Sequence, residues 1–153
     1  MDVRFSEGVL YLTHEKVPVV FSSYIMIDGY EIDFPGEYEK SGVIAEVRQF
    51  ADDLSLTRLT VGDHTVLHVP ENIEEFTADM TSFAGNVDVL IVPGKKELQK
   101  TIEKIDARVV IPYGSSKSAL FWAFGQHVDA EDKRSLKAGD FDDEKTVFVN
   151  LSE

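Results

Sequence analysis

Short apolar runs rich in β-branched and aromatic residues recur along the first half of the chain, and each predicts a strand. They fall at residues 9–12 and 17–21 with a polar loop between them, the first strand ending at Thr13-His14. Residues 24–27, 30–32 and 43–47 continue the pattern, and Asp28-Gly29 is placed to form a hairpin turn that tolerates positive φ. A second hairpin is expected where 54–61 and 65–69 flank Gly62-Asp63-His64. The N-terminal half therefore reads as a β meander.

After Pro70 the period lengthens. Ile73, Phe76, Met80 and Phe83 lie three or four residues apart and predict one apolar face of a helix that Gly85 ends. The run 87–93 predicts an apolar strand, Leu98, Ile102 and Ile105 a second helix, and 107–112 a further strand. A third short helix is expected over 116–124, capped by Ser115 or Ser116, and a last strand over 146–149. This order gives a β-α-β arrangement with helices covering a sheet.

Composition narrows the classes open to such a chain. With 153 residues, 43% of them apolar, one sizeable core is available, and residues 1–153 are read as a single domain. Asp and Glu number 28 against 15 Lys and Arg, a formal charge of -13, which repels phosphate backbones and anionic headgroups. Neither nucleic acid nor a membrane is an expected partner. No Cys is present, which excludes thiolate nucleophiles and thiolate metal sites and leaves His and carboxylates as the strong ligands. The first residues carry no basic region or long apolar run, and no apolar stretch approaches the roughly 18 residues of a spanning helix, so the cytoplasm is the expected location.

Asp33-Phe34-Pro35-Gly36-Glu37-Tyr38-Glu39, followed by Gly42-Val43, is similar to a Gly-Pro-Gly-Glu-Tyr-Glu-x-x-Gly-Val element. Residues 12–19 sit where a strand would run into Thr-His-x-His-x-Asp-His, and 66–71 where a strand would end in Gly-Asp. Residues 87–93 and 109–114 look like strands ending in Val-Pro and Ile-Pro-x-His. Taken in order, these segments resemble the metallo-β-lactamase superfamily, and most of all its branch of ascorbate-phosphate-lactonase-like hydrolases. The resemblance implies an α/β fold, a β-sandwich flanked by helices, abbreviated because the chain is shorter than a typical member.

In that family two metal ions activate a water, lowering its pKa from ~16 to ~7, for attack on an ester, lactone, amide or phosphodiester. Carried over by position, the first ligand is kept as His14, but the next three fall on Lys16, Pro18 and Val19. An ammonium group has no lone pair to donate and opposes a dication. A bridging carboxylate falls near Glu71 and the last histidine on Gly114, while Phe50-Ala51-Asp52-Asp53 holds no histidine. The family-type site uses about five histidines, whereas this chain has four, at 14, 64, 68 and 127. The expectation is therefore a metal-free, non-catalytic relative that keeps the scaffold for binding or self-association, with no cofactor and no catalytic residue assigned. The alternative is a hydrolase of a small lactone, ester or phosphorylated substrate, with one Zn or Mn ion held by His14, His68 and Glu71.

Other constellations have simpler readings. Asp63-His64 is explained by a turn, His127 by a loop, and the acidic pairs Asp52-Asp53, Glu74-Glu75 and Asp142-Asp143 by solvated faces. Ser115, Ser116 and Lys117, just after a strand, offer hydroxyls, N–H groups and an ammonium to an anion, although Ser-rich helix starts are common for structural reasons. Lys95-Lys96 takes the same discount. No Gly-x-Ser-x-Gly elbow or triad is present. Leu120, Phe121, Trp122 and Phe124 spread too widely round a helix to face one core, so a homodimer through Trp122 is expected to cover part of them.

Overall fold

The computed structural model describes residues 1–142 and 144–153. Asp143, half of one acidic pair, lies outside the described residues. The meander forms as β1 (Asp2–Ser6), β2 (Val9–His14), β3 (Val17–Phe21), β4 (Ile25–Ile27) and β5 (Tyr30–Ile32), all antiparallel. A second sheet opens with β6 (Gly36–Lys40), β7 (Val43–Ala51), β8 (Leu54–Val61) and β9 (His64–His68). There follow α1 (Ala78–Ala84), β10 (Val89–Pro93), α2 (Gln99–Ile105), β11 (Val109–Tyr113), α3 (Lys117–Ala123), β12 (Lys133–Ser135) and β13 (Val147–Phe148). The six-stranded sheet runs β12-β1-β2-β3-β4-β5 and the seven-stranded sheet β13-β11-β10-β9-β8-β7-β6. From β9 to β13 the second sheet is parallel, and from β9 back to β6 antiparallel.

Side-chain alternation decides how the layers stack. In β8 to β11 successive residues point to opposite faces; β10 and β11 are apolar on both, while β8 and β9 also carry Arg58, Thr60 and Thr65. Leu59, Val61, Val66, Val89, Ile91, Val109 and Ile111 pack toward the first sheet, meeting Val3, Leu10, Leu12 and Val19. Their neighbours Leu56, Leu67, Leu90, Val92 and Val110 form the opposite core, closed by Met80 and Phe83 of α1, Ile102 of α2 and Leu120 of α3. At roughly 1.5–3 kcal/mol for each such side chain fully buried, these two cores are the principal source of stability. The result is sheet on sheet on helices, the α/β sandwich expected, in a reduced form: among the described residues the helices cover the second sheet, and the outer face of the first carries none.

Two local features depart from the sequence reading. Ile73 and Phe76 do not belong to α1, which starts only at Ala78, because the Oγ1 of Thr77 accepts the Met80 N–H (3.3 Å) and sets the N-terminus there. Ile73 is nonetheless fully buried, held by an irregular loop. Gly85 does end α1, with φ 58. Ser116 stands at the N-cap of α3 but makes no capping side-chain bond.

The β2–β3 hairpin turns at Glu15 and Lys16, both with positive φ (49 and 68). Such two-residue turns favour Asn or Asp followed by Gly, so Lys16 sits in a left-handed conformation that costs a side chain about 1 kcal/mol. Lys16→Gly is expected to raise unfolding stability by roughly 0.5–1 kcal/mol in urea titrations with no change in the slope.

Candidate functional site

The parallel strands β9, β10 and β11 all end on the same side of the sandwich, and the carboxyl ends of parallel strands are where α/β folds form ligand crevices. Here a cleft of about 610 Å³ opens between the sheets, its wall including His68, Glu71, Tyr113 and Glu153. A neighbouring cavity of about 440 Å³ shares Ser22, Ser23, His68 and Pro70 with it and extends to Asp33, Asp52 and Asp53. His68 therefore stands at the junction of the two.

His68 is the last residue of β9, and its ring is stacked between two others. Phe21 lies 4.9 Å away at 22° and Tyr113 6.1 Å away at 6°, centroid to centroid. Only part of the side chain reaches solvent, and burial pushes its pKa down to about 4, so the imidazole is uncharged at neutral pH. Tyr113 donates from its hydroxyl to the Val69 carbonyl (2.6 Å), locking the strand end above His68. Burial first, then the carboxylates of Glu71 and Glu153, raise its pKa above the ordinary tyrosine value and keep it a donor.

The loop carrying Glu71 is pinned from below. The ammonium of Lys95 donates to the carbonyls of Glu71 (2.6 Å) and Ile73 (3.0 Å), so this lysine holds backbone rather than an anion. Glycine at position 94 lets the end of β10 approach α3, since a Cβ there would fall 2.7 Å from the Lys117 nitrogen. Lys117 in turn donates to the Leu151 carbonyl and pairs with Glu153 at 3.1 Å. The Gly114 N–H donates to the same carboxylate (3.0 and 3.2 Å). Of the residues offered to an anion, Lys117 is thus engaged by a carboxylate of the chain itself, while Ser115 and Ser116 are exposed.

The candidate metal trio is divided by the fold. His14 closes β2 beside the β8–β9 turn, where a Cβ on Gly62 would stand 2.8 Å from its Nε2. His68 lies at the other end of β9, four residues from His64 on a strand that rises about 3.3 Å per residue, so the two ends of that strand are roughly 13 Å apart. Val9 and Leu10, at the opposite end of β2 from His14, are the part of that strand that lines the cleft. Lys16, Pro18 and Val19 follow His14 in the β2–β3 hairpin, so these four carried-over positions lie away from the cleft, which Glu71 and Gly114 line. Among the described residues no group of three or more His, Asp or Glu side chains is arranged to hold a metal ion. The donors present do not fit the two-metal centre that the fold implies.

The remaining histidines are placed elsewhere. His64 begins β9 rather than lying in the turn, stacks on Phe141 (3.9 Å, 10°) and has Nδ1 3.8 Å from Asp88. His127 is fully exposed. The cleft residues that sequence reasoning missed are Phe21, Ser22, Ser23, Tyr113 and Glu153. Only Tyr113 carried a signal, as a polar-tipped ring closing an apolar strand before Gly114. Trp122 is 84% exposed on α3, while Leu120 and Phe121 beside it are buried.

Comparison with solved structures places this architecture. A crystal structure from Thermotoga maritima, described as that of a presumed Zn-dependent hydrolase of the metallo-β-lactamase superfamily, superposes with a TM-score of 0.77, covering 99% of this chain and 100% of the other at 17% identity. The chain thus has the metallo-β-lactamase fold. No protein-family model matches it, and no curated protein does. Among the described residues no helix is long and apolar enough to cross a membrane.

The buried His68 makes stability depend on pH with a definite sign. Its folded pKa, about 4, lies below the ordinary 6.5, so between those values the unfolded chain takes up a proton that the folded one refuses. The contribution is complete above pH 6.5 and is lost as pH falls toward 4, by on the order of 2 kcal/mol at pH 4.5. Denaturant unfolding from pH 7 to 4.5 should therefore decline more steeply in the wild type than in His68→Phe. Parallel curves would contradict the burial of an uncharged imidazole.

Proposed function

We propose that this is a metal-free, non-catalytic cytoplasmic protein that uses the metallo-β-lactamase fold as a binding module, with the inter-sheet cleft as its receptor site. The observation that carries the reading is the separation of His14 from His68 and Glu71, at opposite ends of β9. A hydrolytic site rearranged around these residues and Lys16 would need groups from both ends of the sandwich to converge. The cleft itself is retained, ordered by the Lys95 and Tyr113 hydrogen bonds and large enough for a small ligand. Fold likeness carries no activity with it.

Metal analysis of protein purified without chelator, paired with a panel of lactones, thioesters and phosphodiesters, tests the reading. The expected result is well under one Zn, Mn or Fe per chain and no turnover. One tightly held ion per chain, or hydrolysis that His14→Ala or His68→Ala abolishes, would overturn it.

Self-association is the second component of the proposal, supported by the exposed Trp122 over a groove of about 610 Å³ that Lys96, Gln99 and Ala123 also line. Sedimentation should give a dimer for the wild type, shifted toward monomer by at least tenfold in dissociation constant in Trp122→Ala, the scale of a buried aromatic anchor. Monomers in both would remove this component.

A further inference from the structure

We propose that the ligand of the cleft is an aliphatic di- or polyamine, whose ammonium groups are received by His68 and by the carboxylates that line the joined cavities. The inference rests on the binding-module reading and names the chemistry it would recognise.

Charge is the first argument. The charged residues of the two cavities are Glu71 and Glu153 in one, and Asp33, Asp52 and Asp53 in the other, with no Lys or Arg lining either. Glu153 is already met by Lys117, but no cation among the described residues pairs with Glu71, Asp33, Asp52 or Asp53. The overall charge of -13 adds a field that concentrates cations at such a cleft. An anion would meet the carboxylates of both cavities, and an apolar ligand would strip water from them without compensation.

The second argument is His68. It is partly buried between Phe21 and Tyr113, it lines both cavities, and its ring nitrogens have no hydrogen-bond partner among the described residues. Being uncharged, the imidazole offers one lone pair at the junction, which an ammonium N–H can satisfy. A bare metal ion is a poorer match, because the carboxylates are not gathered into a coordinating set.

The third argument is shape and lining. Carboxylates on walls that also carry Phe21, Leu10, Ile25 and Ile91 suit cationic groups joined by methylene spacers. At the rim, Phe34 is 73% exposed and Tyr24 46% exposed, placing ring faces where an ammonium would enter.

The test is calorimetric and NMR titration of the full chain at pH 7.5 with spermidine, with the dipeptide Lys-Lys as a second source of alkylammonium groups, and with Mg²⁺ as a simple dication. Saturable one-to-one binding of spermidine is expected, with shifts at His68. The dissociation constant should weaken about tenfold or more in the double variant Glu71→Gln, Asp53→Asn, and several-fold in His68→Phe, which keeps the stacking. Removing the same charge from the helical layer, by Glu97→Gln with Glu103→Gln, should change it less than about twofold. Tighter binding of Lys-Lys than of spermidine would assign the site to lysine side chains of a peptide and overturn the small-amine assignment. Failure to saturate, equal loss in both double variants, or equal binding of Mg²⁺ would reduce the effect to the general acidic field and overturn the proposal. If neutral or anionic compounds saturate the cleft instead, the amine falls while the binding module stands; a bound metal with ester hydrolysis would remove the binding module itself.

Discussion

Two strands, β10 and β11, are apolar on both faces, and the rest of the molecule is arranged round that requirement. A strand with one wet face can stand at the edge of a sandwich, but one that is greasy on both must be sheathed twice. The first sheet covers one side and α1 to α3 the other, each core drawing on alternate residues of the same strands. The parallel connections this forces bring three carboxyl ends to one rim. The cleft is a by-product of that stacking, in place whether or not any chemistry is done there.

Most of this was legible because period two and period 3.6 are strong signals over apolar runs. The strands from β2 to β5 and from β7 to β11 were readable in that way, including the Asp28-Gly29 turn, which does take positive φ at both residues. β6 was met only as the Pro35-Gly36-Glu37-Tyr38-Glu39 element, and two further strands left no usable signal. β12 is Lys-Arg-Ser, polar throughout, and is held beside β1 by the Leu136 N–H on the Met1 carbonyl and the Ser135 hydroxyl on the Asp2 carboxylate. β1 shows alternation only at Val3 and Phe5, too few positions to separate from background. The start of α1 was misjudged because Ile73 and Phe76 fall on a helical period by coincidence; the Thr77 hydroxyl, a local hydrogen-bonding effect, decides the boundary instead.

The site was legible in part, and for a definable reason. Sequence order says which residues close a strand, but not which end of the sandwich that strand end occupies. His14 and His68 both terminate strands, and both looked eligible as ligands. They belong to opposite rims because β2 enters its hairpin where β8 and β9 turn, whereas β9 finishes beside β10 and β11. Antiparallel and parallel pairing, properties of the assembled sheet, settle the matter. Glu153 and Ser22 could not have been picked out at all, since their approach to the cleft depends on long-range packing.

Glu153 leaves one further consequence. Its carboxylate is tethered to the strand-end groups it meets, the Gly114 amide and the Lys117 ammonium, so it competes with any solute as an intramolecular partner. Tethers of this kind correspond to effective concentrations of order millimolar. A free carboxylate or phosphate would have to exceed that level merely to draw level with the chain's own side group. This cationic corner of the rim is in effect self-quenched, leaving a mouth whose sign there is set by covalent connection rather than by the surrounding medium.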